Sequence, residues 1–414
     1  MADMSTDLQP GDAELLKRFQ PCLRYDSLEA YFADSAEEWL INPGNRLRRA
    51  DGAVLAEAGK GLSLDFLQAE KYPNDEPVRS TDVIEAVGDD FNEQYQALRS
   101  QHQDLRNVIY GRIVRNAHGT WLQYWFFFFF NDYRLAPGGL HEGDWEMVQF
   151  KLDDREAEPQ MAVFAQHTFC EVRRWSEVKR LADEKPDPAP GDRNRPLVYV
   201  GRGSHASYFE PGYHPTDFYD LTDGKRHPKK EVRLEVVSKS THPWLWWPGQ
   251  WGGSRAGGGG PHAPCRHEQW DEPDKLLSRD PVIVGEKPQP DEPRLWARRR
   301  RNRLLLEFDF SPMQALPKRL IATVNSEDEA KVSPRTFHFT LAEVVLGSLQ
   351  TQIALDPDKH YDVWVGVVDA NNQPTLARPF LFAPSKGFLG VRRRITAAAG
   401  RLVHLLRLAL FGSD

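Results

Sequence analysis

The aromatic residues Trp125, Phe126, Phe127, Phe128, Phe129 and Phe130, directly after Tyr124, end a segment that begins at Trp121. A run this apolar has no polar side to offer water, so it predicts a buried strand. It falls far short of the roughly 18 to 20 apolar residues needed to span a bilayer. Ahead of it, residues 108–114 are rich in β-branched side chains and residues 116–119 have turn chemistry, which together predict a hairpin. Further strand-like runs lie at 144–152, 160–168, 197–203 and 231–237. Helical pattern is sparser: Phe91, Tyr95 and Leu98 share one face, and the charged stretch 172–181 reads as a helix. Many strands with few helices argue for a mainly β chain, a β-sandwich with helical and loop insertions.

Composition narrows the class. The chain has 414 residues and a formal net charge of -7, a balance that argues against nucleic acid as a partner, because phosphate contacts need a basic surface. Its three cysteines, Cys22, Cys170 and Cys265, are far apart and cannot pair off completely, so no disulfide framework is expected and a reducing compartment fits better. The first residues are acidic and lack the apolar run of a secretory signal, so the expected location is cytoplasmic, with peripheral membrane contact.

Breaks in composition divide the chain. Residues 183–194 and 252–264 are Pro- or Gly-rich and read as long surface loops. Residues 287–303 are Pro-rich and then basic, with arginines at Arg298, Arg299, Arg300 and Arg301, and read as a linker after a first domain over 1–286. Strand-like runs at 304–310, 320–324, 336–340, 350–354 and 361–368 follow at short spacing and predict a small immunoglobulin-like sandwich over 304–383. Residues 384–414 read as an amphipathic helix: Ile395, Ala398, Leu402, Leu405 and Leu406 fall on one face, and Arg394, Arg401, His404 and Arg407 on the other. Such a helix either lies on an anionic membrane or docks its leucine face on the protein.

The segment "LHEGDWEMVQFKL" holds the densest chemistry. As a strand from Asp144, it places Asp144, Glu146, Val148, Phe150 and Leu152 in one row, the more apolar one, which should face the core. Two carboxylates at the start of a buried row require a cation between them. A metal ion meets that need, and so does an arginine such as Arg112 or Arg202. His141, His167 and His205 stand at strand ends, as does Asp132, where sites on β scaffolds gather. The candidate ligand set is Asp132, His141, Asp144, Glu146 and His205. Mixed carboxylate and imidazole donors suit magnesium, manganese, calcium or zinc, with magnesium or calcium preferred, more than copper. His205 is equally readable as a histidine bonded within a tight Gly-Ser turn, and His167 as a satisfied core residue.

The ordered motifs "YWFFFFF", "GGLHEGDWEMVQF", "VFAQHTF", "RPLVYVGRGSHASYF" and "WWPGQWG" resemble the vacuolar protein sorting-associated protein 62 family and its bacterial relatives, over roughly the first 280 residues. "HEGDWE" is more distantly similar to the heptapeptide Gly-His-Arg-His-Asp-Trp-Glu of necrosis-inducing toxins, β-sandwich proteins that bind a divalent cation and a membrane glycolipid headgroup. That resemblance implies cation-site positions at His141, Asp144 and Glu146, with Asp132 as an upstream aspartate. Gly143 stands where the heptapeptide has its second histidine, so toxin activity is not carried over.

Other motifs are weaker. Ser204 adjoins His205 but lacks the Gly-x-Ser-x-Gly elbow of a hydrolase. His262, Cys265 and His267 have zinc-ligand chemistry, with one cysteine where a structural site wants four ligands. Trp244, Trp246, Trp247 and Trp251 form either a lid folded on the core or a surface that meets sugar rings or lipid headgroups. The sequence therefore points to a non-enzymatic, divalent-cation-dependent binding protein in membrane sorting, with no catalytic residues assigned. Its ligand would be a lipid or glycan headgroup, an anionic membrane surface or a protein there. A metal-dependent hydrolase using the same acids and histidines is one alternative, and a metal-free structural adaptor is another.

Overall fold

The computed structural model describes residues 8–382 other than 87–90, 102–106, 134–138, 154, 168, 186, 215–219, 229–231, 254–259, 279–281, 285–291, 301, 312, 327–334, 357–358, 360 and 373. The chain is mainly β, with several sheets and few helices, and it divides into two compact units. The first comprises 1–160, 179–212 and 221–275, and the second 161–178, 213–220 and 276–414. The amphipathic helix expected over 384–414, with Arg394, Arg401 and Arg407, lies outside the described residues. No helix among the described residues is long and apolar enough to cross a membrane.

In the first unit the aromatic run lies within the strand Gly119–Asp132, which pairs antiparallel with Val108–Asn116 on one side and with Leu140–Leu152 on the other. Register explains why the run is aromatic on both faces. Phe127 stands opposite Trp145, and both meet Trp251, at ring distances of 5.8 and 5.5 Å; Trp39 packs on Phe127 as well. Phe128 stands opposite Asp144 on the alternate row and is covered by His205. The row of Trp145, Met147 and Gln149 is therefore as buried as the row of Asp144, Val148 and Phe150, where the sequence placed only the latter in the core. A parallel strand, Arg233–Val236, extends the sheet beside Val108–Asn116. Two smaller sheets complete the unit. Cys22–Tyr25 pairs parallel with Leu197–Val200, which pairs antiparallel with Ser207–Tyr208. Gln250–Trp251, Val83–Glu85, Arg46–Arg48 and Val54–Glu57 form the other. The predicted helix at Phe91, Tyr95 and Leu98 is Phe91–Gln101, with those three side chains buried.

The tryptophan segment is tied into this unit by a buried charge network. Trp244, Trp247 and Trp251 are buried, so these rings are not at a surface where they could meet sugar or lipid; Trp246 is partly exposed and packs edge-on against Trp270. Trp247 donates its indole N–H to Tyr72 Oη (3.0 Å), and Tyr72 donates to Asp82 Oδ2 (2.8 Å). Arg49 donates Nη1 to both oxygens of Asp82, at 3.1 and 2.9 Å.

The second unit is a two-layer β structure. Arg294–Arg300, Arg303–Asp309 and Ser348–Ala354 form one sheet; Pro374–Phe382, Tyr361–Val368, Arg319–Ser326 and Arg335–His338 pair in the other. Leu295, Leu306 and Phe308 from the first pack with Leu320, Val363, Val365 and Phe380 from the second. Two sequence readings are corrected here. Within the expected 287–303 linker, Arg294–Arg300 is strand: Arg298 is buried against Glu307 (2.6 Å) and lies over the Phe169 ring, while Arg299 lies over Tyr361. The expected helix at 172–181 is instead the end of the strand Phe169–Arg174 and a short 3-10 turn, Trp175–Glu177. Its charges are compatible with a strand because Arg173 and Glu171 pair at 2.7 Å.

Asp82→Ala would leave the buried Arg49 guanidinium without its main partner and should destabilise the first unit by about 3–5 kcal/mol. Urea unfolding measures this, and a change under about 1 kcal/mol would mean that the network does not hold the tryptophan segment.

Candidate functional site

The sharpest constellation is built on Asp144, His205 and Glu29, all buried, with His205 at 0% exposure. Asp144 sits in Leu140–Leu152, one residue after Gly143. His205 sits in the turn after Leu197–Val200, where its N–H bonds Gly201 O (2.9 Å) and its own φ is 56°. Glu29 lies in a turn after Cys22–Tyr25, closed by its N–H to Asp26 O (3.0 Å). The parallel pairing of Cys22–Tyr25 with Leu197–Val200 brings both turns to the same end of one sheet.

His205 donates Nδ1–H to Asp144 Oδ2 (2.9 Å) and holds Nε2 3.7 Å from Glu29 Oε1, an ion-pair distance. Its ring stacks on Phe128, with centroids 3.9 Å apart and planes within 1°. Glu29 is anchored from its far side: Oε1 accepts from the Ala30 and Tyr31 N–H groups (2.8 and 2.9 Å), and Oε2 from Gly203 N–H (2.7 Å). Burial alone would push His205 toward the neutral form, but hydrogen bonding and charge from Asp144 and Glu29 outweigh it and raise its pKa to about 9. Burial likewise opposes ionisation of Glu29, yet the neighbouring His205 charge and the bonds from backbone N–H groups hold its carboxyl below the usual range. The arrangement is a buried imidazolium between two carboxylates, with an aromatic face under the cation.

The other sequence candidates do not join this cluster. His141 directs Nδ1 to Gly143 O (2.7 Å), and its residue is already in the strand rather than ahead of it. Glu146 lies two residues beyond Asp144, roughly 7 Å along the strand, and is partly exposed. Asp132 ends its strand opposite Leu140 and is partly exposed. Neither expected arginine serves the acidic strand: Arg112 lies 3.8 Å over the Trp270 ring and pairs with Asp271, and Arg202 faces Asp26 at 3.7 Å. His167, partly exposed, forms a separate pair with the buried Asp220, 2.7 Å apart in the second unit. Cys265 directs its thiol to Trp247 O (3.5 Å), and burial pushes that thiol up to about 12. Among the described residues no three His, Cys, Asp or Glu side chains are grouped to hold a metal ion. Glu29 went unread in the sequence, because "DSLEAYF" has no periodicity or ligand spacing to mark it.

Gly143 has φ of 59°, and a Cβ there would stand 2.0 Å from Trp251 O. The position where the toxin heptapeptide has a histidine thus has no room for a side chain.

No protein-family model matches the chain. Over 300 residues it is 26% identical to TDA6 of Saccharomyces cerevisiae, a protein that bears the name of a vacuolar protein sorting-associated protein; the match covers 60% of this chain and 62% of that one. Similar solved structures include necrosis and ethylene inducing protein 2 from the causal agent of cocoa's witches' broom disease, at 12% identity and a TM-score of 0.28, covering 58% of this chain and 78% of that one. Another, described as a toxin fold for microbial attack and plant defense, has 14% identity and a TM-score of 0.27, covering 57% and 80%. Superpositions this loose say nothing about chemistry.

The imidazolium is the form favoured in the folded chain, so its stabilising contribution is complete below the ordinary histidine pKa near 6.5 and is lost as pH rises through about 9. The depressed Glu29 contributes in the opposite sense: its share is present above the ordinary carboxyl range and is lost as pH falls through its folded value. Urea midpoints should therefore fall between pH 6.5 and 8.5, and His205→Gln should flatten that slope; an unchanged slope in the variant would refute the charged triad. Gly143→His should lower the melting temperature sharply, and a variant as stable as the parent would show that the strand can admit the side chain after all.

Proposed function

We propose that this chain is a non-enzymatic binding protein of the vacuolar-sorting kind that works at a membrane surface, with His205 in place of a metal ion on its acidic strand. The observation that carries this reading is the buried contact of Asp144, His205 and Glu29 on Phe128. A centre that activates water needs an ion or base with an open position beside it. Here the imidazole is stacked on one face and flanked by two carboxylates, which suits a lock between two turns and the strand. Support for sorting comes from the name of the yeast relative, which this chain matches over about three fifths of its length. Support for a membrane comes from the tail sequence: residues 386–407 include six lysines and arginines and no acid, interleaved with leucines. A cationic amphipathic segment of that kind is held by anionic lipid.

Elemental analysis of the purified chain should find no stoichiometric divalent metal, and chelator should leave its melting temperature unchanged. A bound ion that is lost in Asp144→Asn would overturn the His205 reading in favour of cation dependence. Flotation with phosphatidylserine vesicles should be abolished by deleting residues 384–414; if the shortened chain floats as well as the full one, the tail is not the membrane contact.

A further inference from the structure

A short helix of the second unit turns its apolar side to water. Leu341–Leu346 exposes Leu341, Ala342, Val345 and Leu346, and Val344 is the side chain that packs on the core. Leu341 is 79% exposed and Val345 59%, where an ordinary surface helix turns such residues inward. The helix is pinned this way at both ends. Glu343 N–H donates to Thr340 Oγ1 (3.2 Å) and Thr340 N–H donates to Glu343 Oε2 (2.7 Å), a reciprocal cap, and Gly347 closes the other end with φ of 61°.

A second apolar stretch meets water at the same end of this unit. Two connections cross between its sheets there: 310–318, from Arg303–Asp309 to Arg319–Ser326, and the helix itself, from Arg335–His338 to Ser348–Ala354. The strands they join are neighbours, with Glu307 opposite Ser348 in one sheet and Arg319 opposite His338 in the other. Phe310 and Phe339, near the starts of the two crossings, meet with ring centroids 5.1 Å apart. The first crossing exposes Ala315 and Leu316, the latter at 57%. Lys318 and Arg319 stand at its base; both donate to Asn372 Oδ1 (3.2 and 3.3 Å), and neither meets a carboxylate among the described residues. The acids at this end have other partners: Glu343 its own helix cap, Asp309 the Arg294 side chain (3.8 Å), and Asp369 the Asn371 N–H (2.8 Å).

Exposed aliphatic side chains gathered in one place mark a surface that meets something apolar. Protein interfaces concentrate their energy in tryptophan, tyrosine and arginine, and leucine and valine are scarce among their hot spots. Leucines and a valine with two acid-free cations at their base have the makeup of a segment that enters the acyl boundary of a bilayer while its cations stay among anionic headgroups. We infer that this end of the second unit is a membrane-inserting tip, with Leu316, Leu341, Val345 and Leu346 entering the bilayer and Lys318 and Arg319 at headgroup level. Its partner is the membrane proposed above for the tail, so the tip depends on that reading and adds insertion to charge attraction. One weak anchor gives reversible binding, and two together give stable attachment.

Flotation of the full chain with phosphatidylcholine vesicles containing phosphatidylserine tests it, in about 0.5 M salt, where attraction between charges is screened within a few Å. Substituting Leu341→Gln and Val345→Gln together should lower partitioning about tenfold or more, the usual cost of withdrawing two aliphatic side chains from an apolar medium. The melting temperature of that double variant should match the parent. Ala342→Leu, which enlarges the face, should raise partitioning. A double variant that floats as the parent does overturns the inference, and so does an Ala342→Leu variant that floats no better. Deletion of 384–414 reports on the tail alone. If the shortened chain floats as well as the full one, the tail contact fails while the tip stands, and the double substitution made in that chain should then abolish flotation. A dimer in light scattering that the double substitution breaks would give the face to a second copy. An equal fall in melting temperature on double substitution and on deletion would give it to the tail. Either result overturns the bilayer assignment.

Discussion

Burying Asp144 beneath an aromatic strand creates a charge that the first unit has to answer, and much of its layout follows from the answer. A carboxylate in an apolar interior is costly unless a cation meets it with good geometry. The cation is His205, so the turn that bears it must reach the sheet, and Gly203 must approach closely enough for its N–H to bond Glu29 (2.7 Å). Gly203 has φ of 73°, and a Cβ there would stand 2.7 Å from Asp132 O, so this close approach needs glycine. Phe128 supplies the ring that covers the imidazolium. One strand, two turns and an aromatic side chain are thereby fixed by a single charge balance.

Much of this was legible in the sequence, and the misses have physical causes. The hairpin, the acidic strand and five of the second unit's strands follow from alternation and turn residues, which are local signals. Asp144 and Glu146 were marked as carboxylates in need of a cation, and His205 as a candidate ligand or a turn histidine. Which cation lies between acids is a tertiary fact: residue type pointed to a metal or an arginine, and the imidazolium was not foreseen. Glu29 was missed because its role comes from backbone amides of Ala30, Tyr31 and Gly203, none of which leaves a trace in side-chain pattern. The basic run at 298–301 read as a linker because four arginines look solvated. Arg298 is instead buried on Glu307 and Phe169, partners supplied by other strands.

The tryptophans teach the same lesson from the other direction. Four indoles within eight positions can be a lid folded on the core or a surface that meets a ligand. Three of them face inward, and Trp247 is bonded through Tyr72 to the Asp82 and Arg49 pair. Aromatic richness near a loop is thus compatible with a lid whose polar edges are satisfied internally.

The parallel pairing of Cys22–Tyr25 with Leu197–Val200 has a consequence for how the chain is made. Gly203 lies 174 residues after Glu29, and at the usual pace of translation the later turn leaves the ribosome roughly 10–30 s after the earlier one. Until then the early strand has no neighbour on that side, and the glutamate stays hydrated. Contacts this far apart in sequence also make for slow closure once synthesis is complete. The edge of Cys22–Tyr25 that meets Leu197–Val200 therefore stays open until those residues are made, and a chain halted before residue 197 would leave it open for good.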